Sequence, residues 1–499
     1  MASMFQIKHP FYPIIYVRGY AMSQNEIEET VATPYMGFNL GATKIRQSWD
    51  GSVKRHIFES PLIRLMKDYG YTDAYEHGHE KNEKLPVKSV SVYRYYEQAD
   101  DDLGGGEVPS IENAAQGLND LILDIRNKIC MGDQQAIDDF KVYLVAHSMG
   151  GLVCRCFLQN KQVGSANTKA LVDKVFTYAT PHNGIDMAGM NVPSFLSLYD
   201  MNNFNRGNIA EYLQLPEKSK RVDSLGGHFD EKRFFCLVGT NHKDYTVAGG
   251  MSSKLAGNMS DGLVKISNAV VAKSPRAYVH RSHSGHYGIV NSEEGYQNLT
   301  RFLFGDYRVS GFIEVEKLPL PPTVKKALKD DKDVKASYYF ESTLSPRGAI
   351  SYKLTERRKE TYSAVLRGFD ELLKIENVDG LNKARSPYMF SAFLSSKNIT
   401  VGQSIVFSVD LAVSTTDYEI DGFLFFDRTV PAEYLYRNTV VIRISTQADD
   451  FKVRYSFSDD TWSETTGSEI KTDNNGLFIP LTSKKGFKAK LRLYVSDWN

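Results

Sequence analysis

VYLVAHSMGG, residues 142–151, is the stretch on which the fold turns. It begins as a short apolar run, the pattern of a strand buried on both faces, and ends in two glycines before LVCRCF, which reads as a helix. Ser148 therefore stands at a strand-to-helix turn. A serine presented there sits in a strained backbone, with strand and helix packed closely behind it. Small residues are needed two before and two after, where a larger side chain would collide. Ala146 and Gly150 meet that need, with Gly151 as a further small residue. No other serine of the chain has Gly or Ala at −2 together with Gly at +2. Ser148 is the candidate nucleophile.

A serine hydroxyl needs a base, and the base needs an orienting carboxylate. When the serine sits on such a turn, acid and histidine follow it in that order. Three histidines crowd into VHRSHSGHYGIVNS (279–292), between the last apolar strand pattern and the last helix pattern. His286, which follows Gly285 and lies nearest the helix, is the expected base. His283 is the reserve, and His280 falls in the strand. Asp261, in MSDGLV, and Asp244, in NHKDYTV, are both loop candidates for the acid, with Asp261 favoured. An oxyanion requires two backbone N–H groups. The Met149 amide is one, and YVRGY (16–20) offers the Tyr20 amide as the other, with Gly19 allowing the sharp departure.

Strand and helix patterns alternate on both sides of this turn. Apolar or alternating runs at 13–20, 88–96, 173–179, 233–239 and 275–281 predict strands. Helical spacing appears at 57–69, 109–131, 150–160 and 292–304. Alternation of this kind predicts a mostly parallel sheet covered by helices on both faces. After residue 310 the texture changes. Residues 311–335, with LPLPP and KKALKDDKDVK, read as a solvated linker or surface helix. From 336 to 499, short alternating stretches separated by turn signals predict a β-rich, sandwich-like domain. The helical-looking segment 360–375 is the exception.

With 499 residues, two or three domains are expected. Sixty basic and sixty acidic side chains cancel, which argues against nucleic acid as the main partner. No run of apolar residues is long enough to span a bilayer as a helix, and MASMFQIKHP lacks the apolar core of a signal peptide. A cytoplasmic chain is expected as written, or a secreted one whose signal has been removed. Cys130, Cys154, Cys156 and Cys236 fit neither zinc nor redox spacing and read as buried thiols. His77-Gly-His79, among acidic residues, reads as a solvated loop rather than a metal site. No metal or cofactor is expected.

Taken in order, PIIYVRGY (13–20), VAHSMGGLV (145–153), FTYATPHNG (176–184), SDGLV (260–264) and GHYGIVNS (285–292) resemble blocks of the α/β-hydrolase lipases of the bacterial triacylglycerol-lipase type. The likeness covers about 300 residues. It implies an α/β-hydrolase fold over 1–310 and a serine carboxylic-ester hydrolase, a lipase or esterase, working through an acyl-enzyme. It favours Asp261 over Asp244, since such lipases place the acid in Asp-Gly-x-Val, and it makes His182 a structural residue beside the pocket. Two positions depart from the pattern: Arg18-Gly19 stands where these lipases carry His-Gly, and Ala146 replaces the first elbow glycine. An acyltransferase or thioesterase would use the same machinery, and a non-catalytic binding protein could keep the scaffold. Residues 185–231, rich in Met, Phe, Leu and Tyr, read as a cap or lid over an acyl pocket. The expected partner is an ester or lipid substrate, with peripheral contact to a lipid or polymer surface through the lid or the C-terminal domain.

Overall fold

The computed structural model describes residues 7–19, 38–47, 51, 53–74, 84–95, 109–187, 190–191, 204–216, 219–244, 256–285, 287–347, 352–373, 385–398, 404–421, 428–445, 452–460 and 467–498. The chain forms two compact units, one of Met1–Arg276 and His280–Phe304 and the other of Gly305–Trp498 with the short stretch Ala277–Val279.

The first unit is organised by a seven-stranded sheet. Its strands are β1 (Ile14–Val17), β2 (Thr72–Asp73), β3 (Ser89–Tyr93), β4 (Val142–His147), β5 (Val172–Tyr178), β6 (Phe234–Gly239) and β7 (Arg276–Val279). They lie in the order β7-β6-β5-β4-β1-β3-β2. The registers of β1 with β3 and β4, of β4 with β5, of β5 with β6 and of β2 with β3 are all parallel. Every residue of β1, β4 and β6 is buried, which is why these strands read as unbroken apolar runs. From β1 the chain goes to one edge of the sheet, then returns to lay β4 on the other side of β1. The crevice at the carboxyl ends of β1 and β4 is thus a topological switch point, the usual place for a site in an open α/β sheet.

Helices flank the sheet. α1 (Pro61–Tyr69) starts behind Ser60, whose side chain accepts from the Ile63 amide, and Gly70 closes it in the left-handed conformation. α2 (Ile111–Cys130) is capped by Ser110 and buries the three-and-four stripe Ile111, Ala114, Ala115, Leu118, Ile122, Ile125 and Ile129. α3 (Gly150–Gln159) is buried along its whole length and packs on α2. α4 (Arg206–Tyr212) and α5 (Glu293–Phe304) complete the set used below.

Three features differ from expectation. Residues 57 and 58 are not helical: Val53–Phe58 pairs with Ala42–Gln47 as an antiparallel hairpin, and the helix begins only at Pro61. Asp50-Gly51 is a hairpin signal in the sequence, and Gly51 has a φ of 79°. Residues 311–335, expected as a solvated linker or surface helix, hold both a strand and a helix. Tyr307–Lys317 is a long strand between two partners, and Pro322–Lys329 is a helix that buries Val324 and Ala327. Val309, Ile313 and Val315 point one way into the core, a period-two pattern that the proline-rich LPLPP obscures. In the helical-looking segment, Val365–Gly368 is a strand and, among the described residues, only Phe369–Leu373 is helical.

The second unit is antiparallel, as expected of a sandwich. A five-stranded sheet is centred on Tyr307–Lys317 and Lys488–Asp497. A larger sheet is centred on Ser337–Pro346, Ser404–Thr415 and Tyr434–Ser445. Val309, Ile313 and Leu491 from the first share one apolar core with Phe340, Val409 and Val440 from the second.

Candidate active site

Register places the site before any side chain is considered. Val17 of β1 lies opposite Ala146 of β4, so Arg18-Gly19 leaves the sheet beside His147-Ser148. Ser148 has a φ of 51°, a left-handed conformation that costs a non-glycine residue on the order of 1–3 kcal/mol. Close packing holds the turn. A Cβ on Gly150 would stand 2.1 Å from the Val17 carbonyl oxygen, and one on Gly151 would stand 2.2 Å from Thr180 Oγ1. These contacts are the physical reason for the small residues after Ser148.

The imidazole facing Ser148 belongs to His283. Its Nε2 lies 3.0 Å from Ser148 Oγ and its Nδ1 lies 2.9 Å from Asp261 Oδ2. A carboxylate accepts only, so Nδ1 carries the proton and the Nε2 lone pair receives the serine O–H. All three residues are buried. His286, the expected base, lies outside the described residues, and both ring nitrogens of His283 are engaged by the serine and the acid. The imidazole that the structure brings to Ser148 is thus that of the reserve candidate, His283. Its loop is fixed by the backbone: the Ser282 amide donates to Tyr287 O, the Ile289 amide to Ser282 O and the His283 amide to Asp261 O.

Asp261, the favoured of the two candidate acids, is the carboxylate that meets this ring. Its other oxygen, Oδ1, accepts from the Leu263 and Val264 amides at 3.0 and 2.8 Å. β6 ends at Gly239 so that the acid can approach, since a Cβ there would be 2.8 Å from Asp261 Cβ. Asp244 instead accepts from Asn241 Nδ2 at 2.8 Å. His280 Nδ1 faces Thr240 Oγ1 at 3.3 Å.

Met149 stands at the N-terminus of α3, where the first amides have no intrahelical acceptor. Tyr20 lies outside the described residues. Its neighbour Gly19 is pressed against the serine: an added Cβ would be 2.4 Å from Ser148 Cβ and 3.1 Å from Ser148 Oγ.

Two buried residues that sequence reasoning did not single out brace this arrangement. His147 lies with Nε2 2.9 Å from the His283 carbonyl oxygen, so that ring nitrogen donates. Burial, with His283 and Arg18 nearby, holds its pKa well below the ordinary histidine value and keeps it neutral. Arg155 of α3 is fully buried, and burial lowers its pKa to about 10. Its guanidinium donates to the carbonyls of His182, Val222 and Ser224 and to Gln159 Oε1. An arginine inside an otherwise apolar helix pattern was the available signal. His182 is buried edge-on to Phe234 with Nε2 3.1 Å from Thr177 Oγ1, in keeping with a structural part.

The described parts of 185–231 pack into the unit. Ile209, Ala210 and Tyr212 of α4 are buried, as are Val222 and Leu225. Asp186 accepts from Arg206 and Asn268. The apolar centre of the expected lid, residues 192–203, lies outside the described residues, as does His77-Gly-His79. The four cysteines are free and buried. Among the described residues no cluster of His, Cys, Asp or Glu could hold a metal. Likewise no described helix is long and apolar enough to cross a membrane.

Residues 12–214 match the family model of the PGAP1-like alpha/beta domain. The chain is similar to the structure of phospholipase PlaB from Legionella pneumophila, at 11% identity over 85% of this chain and 91% of that one, with a TM-score of 0.34. It is also similar to the lin2722 product of Listeria innocua, at 11% identity over 58% of this chain and 93% of that one, with a TM-score of 0.24. No curated protein matches the sequence. Residues 12–214 thus resemble the PGAP1-like alpha/beta domain, and the parallel sheet with its flanking helices is an α/β-hydrolase-like fold.

Proposed function

We propose that the protein is a serine carboxylic-ester hydrolase acting on lipid or other acyl esters, with Ser148 as nucleophile, His283 as base and Asp261 as orienting acid. The observation that carries this reading is the unbroken hydrogen-bond chain from Ser148 Oγ through the His283 ring to Asp261, at 3.0 and 2.9 Å. His283 Nε2 takes the serine proton as Oγ attacks the ester carbonyl. It then delivers that proton to the departing alcohol. The imidazolium formed on the way is stabilised by Asp261, which the two amide donors keep aimed at Nδ1. The oxyanion sits against the Met149 amide and a second donor, the Tyr20 amide, on the loop that Gly19 begins. Water then attacks the acyl-enzyme and His283 reverses its role.

No cofactor takes part in these steps. The catalytic domain runs through about residue 304, with the β-sandwich unit following it, and residues 185–231 serve as the cap or lid over the acyl pocket. An acyltransferase or thioesterase would share every residue named, and the acceptor decides between them. Hydrolysis of p-nitrophenyl esters of graded chain length, measured with and without added alcohols and thiols, tests the reading. It predicts turnover in water alone that Ser148→Ala abolishes while leaving the circular dichroism and melting curve unchanged. Turnover surviving in Ser148→Ala would overturn it.

A further inference from the structure

Val17 is the last residue of β1 in register with both of its neighbours, Tyr93 of β3 on one side and Ala146 of β4 on the other. From Arg18 onward strand pairing no longer holds the chain, yet this is the stretch that must present an oxyanion donor. On the β4 side the hold is contact, with Gly19 pressed against Ser148 and the His147 carbonyl. α3 adds to it, since a Cβ on Gly150 would stand 2.8 Å from the Arg18 carbonyl oxygen. Contact limits approach but does not fix the rotation of a peptide plane, and glycine turns more readily than any other residue.

The β3 side supplies what contact lacks. Tyr95, two residues past the end of β3, is buried, and its hydroxyl donates to the Arg18 carbonyl oxygen at 3.1 Å. That bond sets the plane of the peptide joining Arg18 to Gly19. Tyr95 is itself braced. Its ring lies 5.4 Å from that of Tyr93, whose hydroxyl donates to the Ala114 carbonyl of α2 at 2.8 Å. Gly117 leaves the room, because a Cβ there would be 2.2 Å from the Tyr93 hydroxyl. Two tyrosines thus link α2 to the loop that faces Ser148.

We propose that Tyr95 is a positioning residue for catalysis: its hydroxyl fixes the Arg18–Gly19 peptide and so aims the oxyanion donor of the loop after β1 at the reacting carbonyl. This rests on the ester-hydrolase reading and adds to it a residue outside the triad. Misplacing a stabilising group by about 1 Å can cost about 10²-fold in rate. A single hydrogen bond of little weight in the fold therefore carries large weight in the reaction.

The test compares Tyr95→Phe with Tyr71→Phe in the full-length protein. Tyr71 is the matched control: it too is buried and its hydroxyl donates to a backbone carbonyl, that of Tyr12 at 2.8 Å, but ahead of the other end of β1. Each variant loses one hydroxyl and keeps its ring, so the two melting temperatures should fall slightly and alike. On a p-nitrophenyl ester, Tyr95→Phe should lower kcat about 10–100-fold with KM within about twofold, while Tyr71→Phe stays within about twofold of wild type in both. The second readout is the matching thionoester, whose sulfur accepts hydrogen bonds poorly and gains little from an oxyanion donor. Its rate should change less than about threefold in Tyr95→Phe, so the preference for ester over thionoester shrinks in that variant alone. A kcat for Tyr95→Phe within about twofold of wild type would overturn the proposal. So would an equal loss in Tyr71→Phe, an equal loss on ester and thionoester, or a melting temperature far below that of Tyr71→Phe, each of which makes the bond a structural one. Those results leave the hydrolase reading standing where wild-type turnover is lost in Ser148→Ala. Wild-type turnover that is absent, or that survives in Ser148→Ala, sinks both.

Discussion

Gly19 and Ser148, from loops 129 residues apart, meet so closely that a Cβ on the glycine would stand 2.4 Å from the serine Cβ. The His147 carbonyl oxygen, at 2.9 Å from the same point, closes the other side. The loop after β1 is therefore fitted to the turn after β4 with no room to spare, and the proposed oxyanion site lies in that seam.

Gly19→Ala should cost activity out of proportion to stability. Backbone must shift to admit the methyl, moving the Tyr20 amide from the oxyanion, and the loss of one such donor is worth about 2.7–4 kcal/mol in the transition state. The expected result is a fall of about 10²–10³ in kcat with a small change in Tm.

Asp261→Asn should lower kcat roughly 10⁴-fold, as loss of the orienting carboxylate leaves the imidazole in the wrong tautomer. Asp244→Asn, which touches Asn241 instead, should leave kcat near wild type. The reverse ranking in steady-state kinetics would reassign the acid.

Arg155→Met should destabilise the first unit. Removing the guanidinium leaves the His182 and Val222 carbonyls without its N–H groups, while the Ser224 carbonyl keeps Gln159 Nε2, and each buried unsatisfied group costs about 1–3 kcal/mol. Urea unfolding should show a midpoint well below wild type. The fall should be larger than that of Arg221→Met, whose guanidinium is half-exposed beside Asp223.

Lys174 of β5 is buried, its ammonium donating to the Leu303 carbonyl at 3.0 Å, and burial lowers its pKa to about 7. Its folded pKa lies below the unfolded value, so the unfolded chain binds more protons between the two. Stability from this group therefore rises with pH through that window. Buried cysteines and tyrosines, whose pKa values are raised, pull the other way at higher pH. Lys174→Met isolates the effect: the stability difference between variant and wild type should favour the variant most near pH 6 and shrink steadily toward pH 9. A difference that is flat with pH would contradict it.

How far the sequence spoke depends on where each signal arises. β4 and β6 lie within a residue of their apolar runs because both faces are buried, which leaves a local mark. The turn at Ser148 was legible because packing forbids side chains at fixed offsets. His283 was not separable from His286 by spacing. The choice rests on backbone bonds from Ser282, His283 and Ile289 to Tyr287, Asp261 and Ser282, and the one that reaches the acid links residues 22 apart in the chain. The strand 307–317 and the buried face of the helix 322–329 were hidden differently. Val309, Ile313 and Val315 do alternate, but Gly311 breaks the pattern and the charged run beyond LPLPP masks two buried positions, Val324 and Ala327.

The most direct test of the central claim is peptide-mapped labelling by a fluorophosphonate probe, compared across wild type, His283→Ala and His286→Ala. The account predicts stoichiometric modification of Ser148 in the wild type and in His286→Ala, and its loss in His283→Ala. Modification that persists without His283, or that vanishes only without His286, would contradict it.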